Sequence, residues 1–387
     1  MKALKFICKI LLLILAVAAF ILALATLVPQ IPFAGSIANY ITVHFAHIFL
    51  PTCAGAFVLA TVFLIFKRRS VLNILTEVLL VLAIAGSACA YGIAVKKLND
   101  QGGEINVFAS YKKEDFSMVK KETKEYAPSV FGGSVSIDVY FTEEGKEKPV
   151  LFYIHGGGWI SGSKNDHSFY LRSFAKYGYL AVSVDYDLST KDKHLVSSCE
   201  EQIAKAVLWV KKNAKSYNAD ENELFFLGDS AGGNLALDLA YKINADVISE
   251  ANGESLPKVK SVCALYPVAE PKAFYENGDL VLGKAAKQMS TYYTGYTPEE
   301  NAGIYESITP KNFLSVPTPP TLLITGAADR MVDPSASTNL YDALQKNGTK
   351  TTLVTAPYCN HAFDQADNAF GCQAVLNIAT KWFEEMK

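Results

Sequence analysis

The stretch "LGDSAGGN", residues 227–234, sets a serine among three glycines directly after the apolar run "ELFFLG" (223–228). Two structures fit it. A strand ending in a turn uses glycine and serine for ordinary turn chemistry. A strand-to-helix elbow uses the glycines to turn sharply and to let neighbouring backbone come close to the serine. Gly228-Asp-Ser230-Ala-Gly232 has the G-x-S-x-G spacing of such an elbow. That reading makes demands on the rest of the chain. It needs a strand before the serine, a helix after it, a loop of free backbone N–H groups upstream, and an acid and then a histidine downstream.

The surrounding pattern supplies them. "VLFYIHG" (150–156), "YLAVSVDY" (179–186), "VKSVCALYP" (259–267), "TLLITG" (321–326) and "TTLVTAP" (351–357) are short apolar runs, as expected of strands buried on both faces of a parallel sheet. "SVSIDVYF" (134–141) alternates like an edge strand. Between the runs lie helical patterns at 195–217, 231–245 and 336–347, and a last one at 372–386 closes the chain. In the first of these Ile203, Val207 and Val210 share one stripe and the lysines lie elsewhere. Alternating strands and helices predict an α/β sheet with right-handed crossovers. Residues 270–316 show no strand signal and are rich in Tyr, Gly and Pro, which suits a cap over the sheet.

An acyl-transfer site requires a nucleophile, a base, an acid that orients the base, and oxyanion donors. Ser230 is the nucleophile candidate. In "YIHGGGW" (153–159) three glycines follow a histidine at the end of a strand signal, so the N–H groups of Gly157 and Gly158, with that of Ala231, are the candidate donors. His361 in "CNHAF" (359–363) is the base candidate, and His155 is expected to brace the oxyanion loop. Asp329 in "GAADRMVD" (326–333) is the acid candidate, its alternative being a helix N-cap, and Asp333 competes with it for the acid role. The order Ser, Asp, His is that of the elbow architecture. All three fall at the carboxyl ends of predicted strands, where such sheets bind ligands. Trp159 and Tyr186 are substrate-pocket candidates. Trp159 follows the oxyanion glycines and either shortens an acyl pocket or packs beneath the loop.

The soluble part resembles the hormone-sensitive-lipase branch of the α/β-hydrolases, which includes small carboxylesterases and feruloyl-esterase-like and acetylxylan-esterase-like enzymes. The resemblance rests on "HGGGW" (155–159), "VDYDLS" (184–189), "AVLWVKKNAKSYNAD" (206–220), "GDSAGGNLA" (228–236), "GAADRMVD" (326–333) and "NHAF" (360–363), and covers residue 134 onward. It implies the α/β-hydrolase fold, a triad of Ser230, Asp329 and His361, an oxyanion hole at the loop glycines, and hydrolysis of a small-molecule or carbohydrate-linked ester without metal or organic cofactor. The segment "DYDLSTKDKH" (185–194) lacks the arginine and the proline–glutamate often found there, so the acyl and alcohol pockets are not specified by it. A peptidase or amidase on the same triad, or an idle fold used for binding, are the rival functions.

The first hundred residues are of another kind. Half of the 387 residues are hydrophobic, and the excess is concentrated there. The runs 6–28, 48–66 and 71–95 are each long enough to cross a bilayer, which takes about 20 apolar residues. Residues 1–97 are therefore expected to be a membrane region of three transmembrane helices, 98–133 a linker, and 134–387 the catalytic domain. The first run could instead be a signal peptide ending near Ala23-Leu24-Ala25. His44 and His47, at the start of the second run, are expected at the bilayer interface. Lys2, Lys5 and Lys9, and "KRR" (67–69), flank a loop, 29–41, that holds no Lys or Arg. By the positive-inside rule this sets the catalytic domain outside the cytoplasm, although Lys96 and Lys97 pull the other way. A net charge of −2 gives no sign of a nucleic-acid partner. The seven cysteines have no C-x-x-C spacing, which argues against zinc, and a Cys359–Cys372 bridge is conceivable.

Overall fold

The short apolar runs fold as strands because their side chains can be buried on both faces. A computed structural model describes residues 2–28, 34–65, 70–143, 145–315 and 318–387. Its main sheet has eight strands: β1 (Lys120–Pro128), β2 (Ser134–Phe141), β3 (Lys148–Ile154), β4 (Leu180–Val184), β5 (Ala219–Asp229), β6 (Ser261–Leu265), β7 (Thr321–Gly326) and β8 (Thr351–Ala356). Their order is β1-β2-β4-β3-β5-β6-β7-β8. The pairs β1–β2 and β2–β4 are antiparallel, and the pairs from β4 through β3, β5 and β6 to β7 are parallel. Every residue of β4, β6 and β7 is buried.

Two expectations are corrected here. "SVSIDVYF" is not the edge strand but the second one. The edge is β1, "KKETKEYAP", which lies inside the expected 98–133 linker. Its solvent-facing polar side chains hide the alternation that reveals a strand, while its backbone pairs with β2 from Lys120 to Pro128 with one irregularity between Glu125 and Ala127. Charged side chains on an edge also discourage pairing with other chains.

The helices in chain order are α1 (Lys2–Leu27), α2 (Ala34–Asn39), α3 (Ala46–Ile65), α4 (Val71–Asn99), α5 (Ser168–Lys176), α6 (Val196–Asn213), α7 (Ser230–Asn244), α8 (Pro271–Tyr275), α9 (Leu282–Thr294), α10 (Ala302–Ser307), α11 (Pro334–Lys346) and α12 (Phe370–Met386). From Ala231 to Asn244 every residue of α7 is buried, which its run of Ala, Gly and Leu allows. The expected cap, 270–316, contains α8, α9 and α10 and, among the described residues, no strand.

The chain divides into two compact units. One comprises Met1–Lys112, Gly326–Asp329 and Ala356–Ala374; the other Lys113–Thr325, Arg330–Thr355 and Val375–Lys387. In the first unit, α1, α3 and α4 pack through small residues. Ala16, Ala56 and Ala60 meet around Leu80, and Ala19, Ala23 and Cys53 meet around Ala83. Small side chains let apolar helices approach closely. Large apolar side chains such as Leu11, Ile14, Ile48 and Leu82 face outward. Two helical stretches, Phe6–Leu27 and Val71–Asn99, are long and apolar enough to cross a membrane. The expected middle span, 48–66, falls on α3 as far as Ile65. Ile37–His44 and Ala46–Val62 are bent by 83° and make a third span only if counted together. A π-helical turn, Tyr40–His44, lies at that bend. The "KRR" motif lies outside the described residues. All seven cysteines are free, so Cys359 and Cys372 form no bridge.

Candidate active site

In the second unit, β5 ends at Asp229 and α7 begins at Ser230, whose φ is +52°. A left-handed backbone costs a non-glycine residue about 1–3 kcal/mol and persists only where the surroundings dictate it. Here they do. A Cβ on Gly232 would lie 2.2 Å from the carbonyl oxygen of Ile154 and 2.3 Å from that of His155, so only glycine lets α7 start against the end of β3. The elbow is thus built by the sequence signal that announced it.

A buried carboxylate joins the elbow to the glycine loop. Asp229 Oδ1 accepts from the Tyr153 hydroxyl at 2.6 Å and from the Gly156 amide at 3.0 Å. Gly157 and Gly158 have φ of +104° and +62°. Gly157 offers its carbonyl to the amides of Ile160 and Ser161 and to the Ser161 hydroxyl. Among the described residues, no protein acceptor takes the amides of Gly157, Gly158 or Ala231. Those three N–H groups remain available to an anion.

His155 lies beneath this loop. Its ring stacks on Tyr186 with centroids 4.4 Å apart, its Nδ1 is 2.8 Å from the Gly156 carbonyl, and Tyr186 donates to the His155 carbonyl at 2.8 Å. Burial pushes the imidazole's pKa below its ordinary value, despite the opposing pull of its hydrogen bond to Gly156. Trp159 and Tyr186, the two pocket candidates, are 1% and 3% exposed. Trp159 stacks flat on Tyr293 at 4.6 Å. Met289 of α9 meets Gly158. Its Sδ would lie 2.4 Å from a Cβ on Gly158. Sequence reading placed α9 in the cap segment but had no signal for Met289, since contact across 131 positions leaves no local pattern.

In the first unit, Asp329 follows β7 by three residues and His361 follows β8 by five. His361 Nδ1 lies 2.7 Å from Asp329 Oδ2, and the carboxylate is fully buried while the imidazole is 16% exposed. This is the length of a charge-assisted hydrogen bond. The loops carrying the two residues are tied together: Ala327 and Ala328 donate to the carbonyls of Ala356 and Cys359, both at 2.9 Å. Asp333, in the second unit, caps α11 by accepting from the Ser335 amide at 2.8 Å. His44 is buried. It is 2% exposed, its Nε2 accepts from the Asn360 amide at 3.4 Å, and its ring meets Phe363 edge-on at 6.2 Å. Among the described residues no cluster of side chains could hold a metal ion.

The sheet order, the elbow and the glycine loop define an α/β-hydrolase. Residues 137–344, more than half of the chain, match the BD-FAE model, and the chain belongs to that family. It is 26% identical over 233 residues to Esterase LipQ of Mycobacterium tuberculosis, covering 57% of this chain and 52% of that one. It is 25% identical over 237 residues to an acetyl esterase of Salmonella schwarzengrund, covering 60% of this chain and 70% of that one. Among solved structures it resembles a bacterial heroin esterase with a TM-score of 0.60 at 21% identity, over 73% of this chain and 89% of that one. That likeness concerns the fold. The chain spans about half the length of several curated relatives it matches.

Proposed function

We propose that this protein is a membrane-anchored serine hydrolase that cleaves carboxylic esters with short acyl groups. The observation that carries the reading is the serine held in a left-handed elbow within Gly228-Asp-Ser230-Ala-Gly232. Support comes from the 2.7 Å contact between His361 Nδ1 and Asp329, from the untaken amides of the glycine loop, and from relatives named as esterases, one an acetyl esterase.

In this reading Ser230 Oγ attacks the ester carbonyl while His361 Nε2 takes its proton. The N–H groups of Gly157, Gly158 and Ala231 stabilise the oxyanion. His361 then gives the proton to the departing alcohol, leaving an acyl-serine. Water attacks that ester, again losing a proton to His361, and releases the carboxylic acid and free Ser230. Asp329 keeps the proton of neutral His361 on Nδ1, so that Nε2 faces the reaction as a base, and stabilises the imidazolium formed in each half. The N-terminal helices anchor the chain, and the distribution of Lys and Arg sets the catalytic domain outside the cytoplasm.

Ser230→Ala in the full chain tests the chemistry. Turnover of p-nitrophenyl acetate should fall by about 10⁶, and a fluorophosphonate should label the wild-type protein at Ser230 only. More than a few per cent of activity in pure Ser230→Ala protein would sink the reading. Faster hydrolysis of decanoyl than of acetyl esters would remove the short-acyl preference. Protease added to permeabilised-wall cells should digest the domain before the membrane is lysed.

A further inference from the structure

The loop after β8 carries His361 through irregular backbone. Three of its non-glycine residues, Tyr358, Ala362 and Asn368, have φ of +58°, +55° and +56°. Each costs about 1–3 kcal/mol and needs outside restraint to persist. Ala362 follows His361 directly, so the peptide between them fixes both the His361 backbone and the left-handed turn after it. The carbonyl of that peptide accepts a hydrogen bond of 2.5 Å from the Tyr40 hydroxyl. One residue earlier, the Asn360 amide donates to His44 Nε2. Tyr40 and His44 lie one helical turn apart at the two ends of the π-helical stretch, with ring centroids 4.5 Å apart. All these residues belong to one compact unit.

We propose that the N-terminal apolar region has a catalytic duty besides anchoring: Tyr40, backed by His44, is a positioning residue that fixes the His361–Ala362 peptide and so holds the imidazole against Asp329. The proposal rests on His361 being the base of the triad. The Tyr40 donor fixes the His361–Ala362 peptide and the His44 acceptor fixes the Cys359–Asn360 peptide, so His361 is held on both sides from outside its loop, while within the loop its own amide donates to Asn360 Oδ1 at 2.8 Å. A misplacement of about 1 Å at a catalytic group can cost about 100-fold in rate. A chain lacking residues 34–44 would therefore keep its nucleophile elbow and lose its base geometry.

The test uses the full chain in detergent with p-nitrophenyl acetate, a substrate that needs no membrane. Tyr40→Phe keeps the ring and removes the donor. Its kcat should fall roughly 10- to 100-fold, with KM within about twofold and a wild-type melting curve. The acid limb of kcat/KM, which reports the base, should move to lower pH, because a misaligned Asp329 stabilises the imidazolium less. Tyr111→Phe is the matched control, since Tyr111 also donates to a backbone carbonyl, that of His47; it should behave as wild type. A folded Tyr40→Phe protein with wild-type kcat and an unmoved acid limb overturns the proposal, as does an equal loss in Tyr111→Phe. If Tyr40→Phe fails to fold, His44→Gln and His44→Leu carry the test. Gln keeps an acceptor for Asn360 and should retain kcat, whereas Leu should not; equal kcat in the two overturns the idea. Ser230→Ala separates the layers. Hydrolysis surviving in it breaks the triad reading, while an inactive Ser230→Ala beside a fully active Tyr40→Phe removes only the role of Tyr40.

Discussion

Around Ser230 the restraints are steric and short. Glycine at 232 is required by carbonyls less than 2.5 Å from where its Cβ would be, and Asp229 fastens the elbow to the adjacent strand end. Around His361 they are polar and come from far along the chain: the Tyr40 donor is 321 positions away. The proposed nucleophile therefore depends on a motif that works wherever a strand runs into a helix. The proposed base depends on a strained loop and on a region whose composition announces only a membrane. Removing the first kind of restraint damages the fold; removing the second should damage rate with the fold intact.

The largest effect that tests this contrast, short of losing Ser230, lies at Asp329. Asp329→Asn should lower turnover by about 10⁴, because an amide can donate to Nδ1 and leave the proton on Nε2. Asp333→Ala should leave turnover within about twofold and cost about 1 kcal/mol of stability, the usual value of a helix cap. The reverse ranking in paired kinetics and denaturant melts would exchange the roles of the two residues.

Tyr153→Phe probes the serine side. It leaves the buried Asp229 with one fewer donor, and a hydrogen bond to a charged group is worth about 1.5–3 kcal/mol. The loss should appear in the unfolding free energy of the second unit. A variant as stable as wild type would mean that the Gly156 amide alone satisfies the carboxylate.

The smallest effect concerns pH. Burial lowers the pKa of His155 in the folded state, so below about 6.5, the ordinary histidine value, the unfolded chain binds a proton that the folded one resists. Stability should fall as pH drops below that value, by at most about 1.4 kcal/mol per unit for one group. His155→Phe, which can keep the stack on Tyr186, should flatten the slope between pH 7 and 5. An unchanged slope would assign the acid sensitivity to other groups.

Much of the fold was legible because burial on both faces leaves a visible mark: the apolar run at 150–156 holds most of β3, and those at 179–186, 259–267 and 321–326 contain β4, β6 and β7. The elbow was legible because glycine at fixed spacing is a steric requirement written in the local sequence. Strand β1 was not, since an edge strand is held by its backbone and its side chains carry no apolar alternation. Nor was the burial of Trp159 under Tyr293, or the contact of Met289 with Gly158, because residues 131 or more positions apart become neighbours only when the chain closes.

By itself the sequence determined the hydrolase family, the apolar helices, and the residues proposed for the triad, since each follows from local chemistry: hydrophobic period, glycine sterics and the order of titratable groups. Only the tertiary structure distinguished Asp329 beside His361 from Asp333 at a helix cap, and brought His44 to the loop that carries His361. A carboxylate or an imidazole carries the same chemistry in every sequence. What it does depends on which partner lies within about 3 Å, and that is decided when distant segments meet.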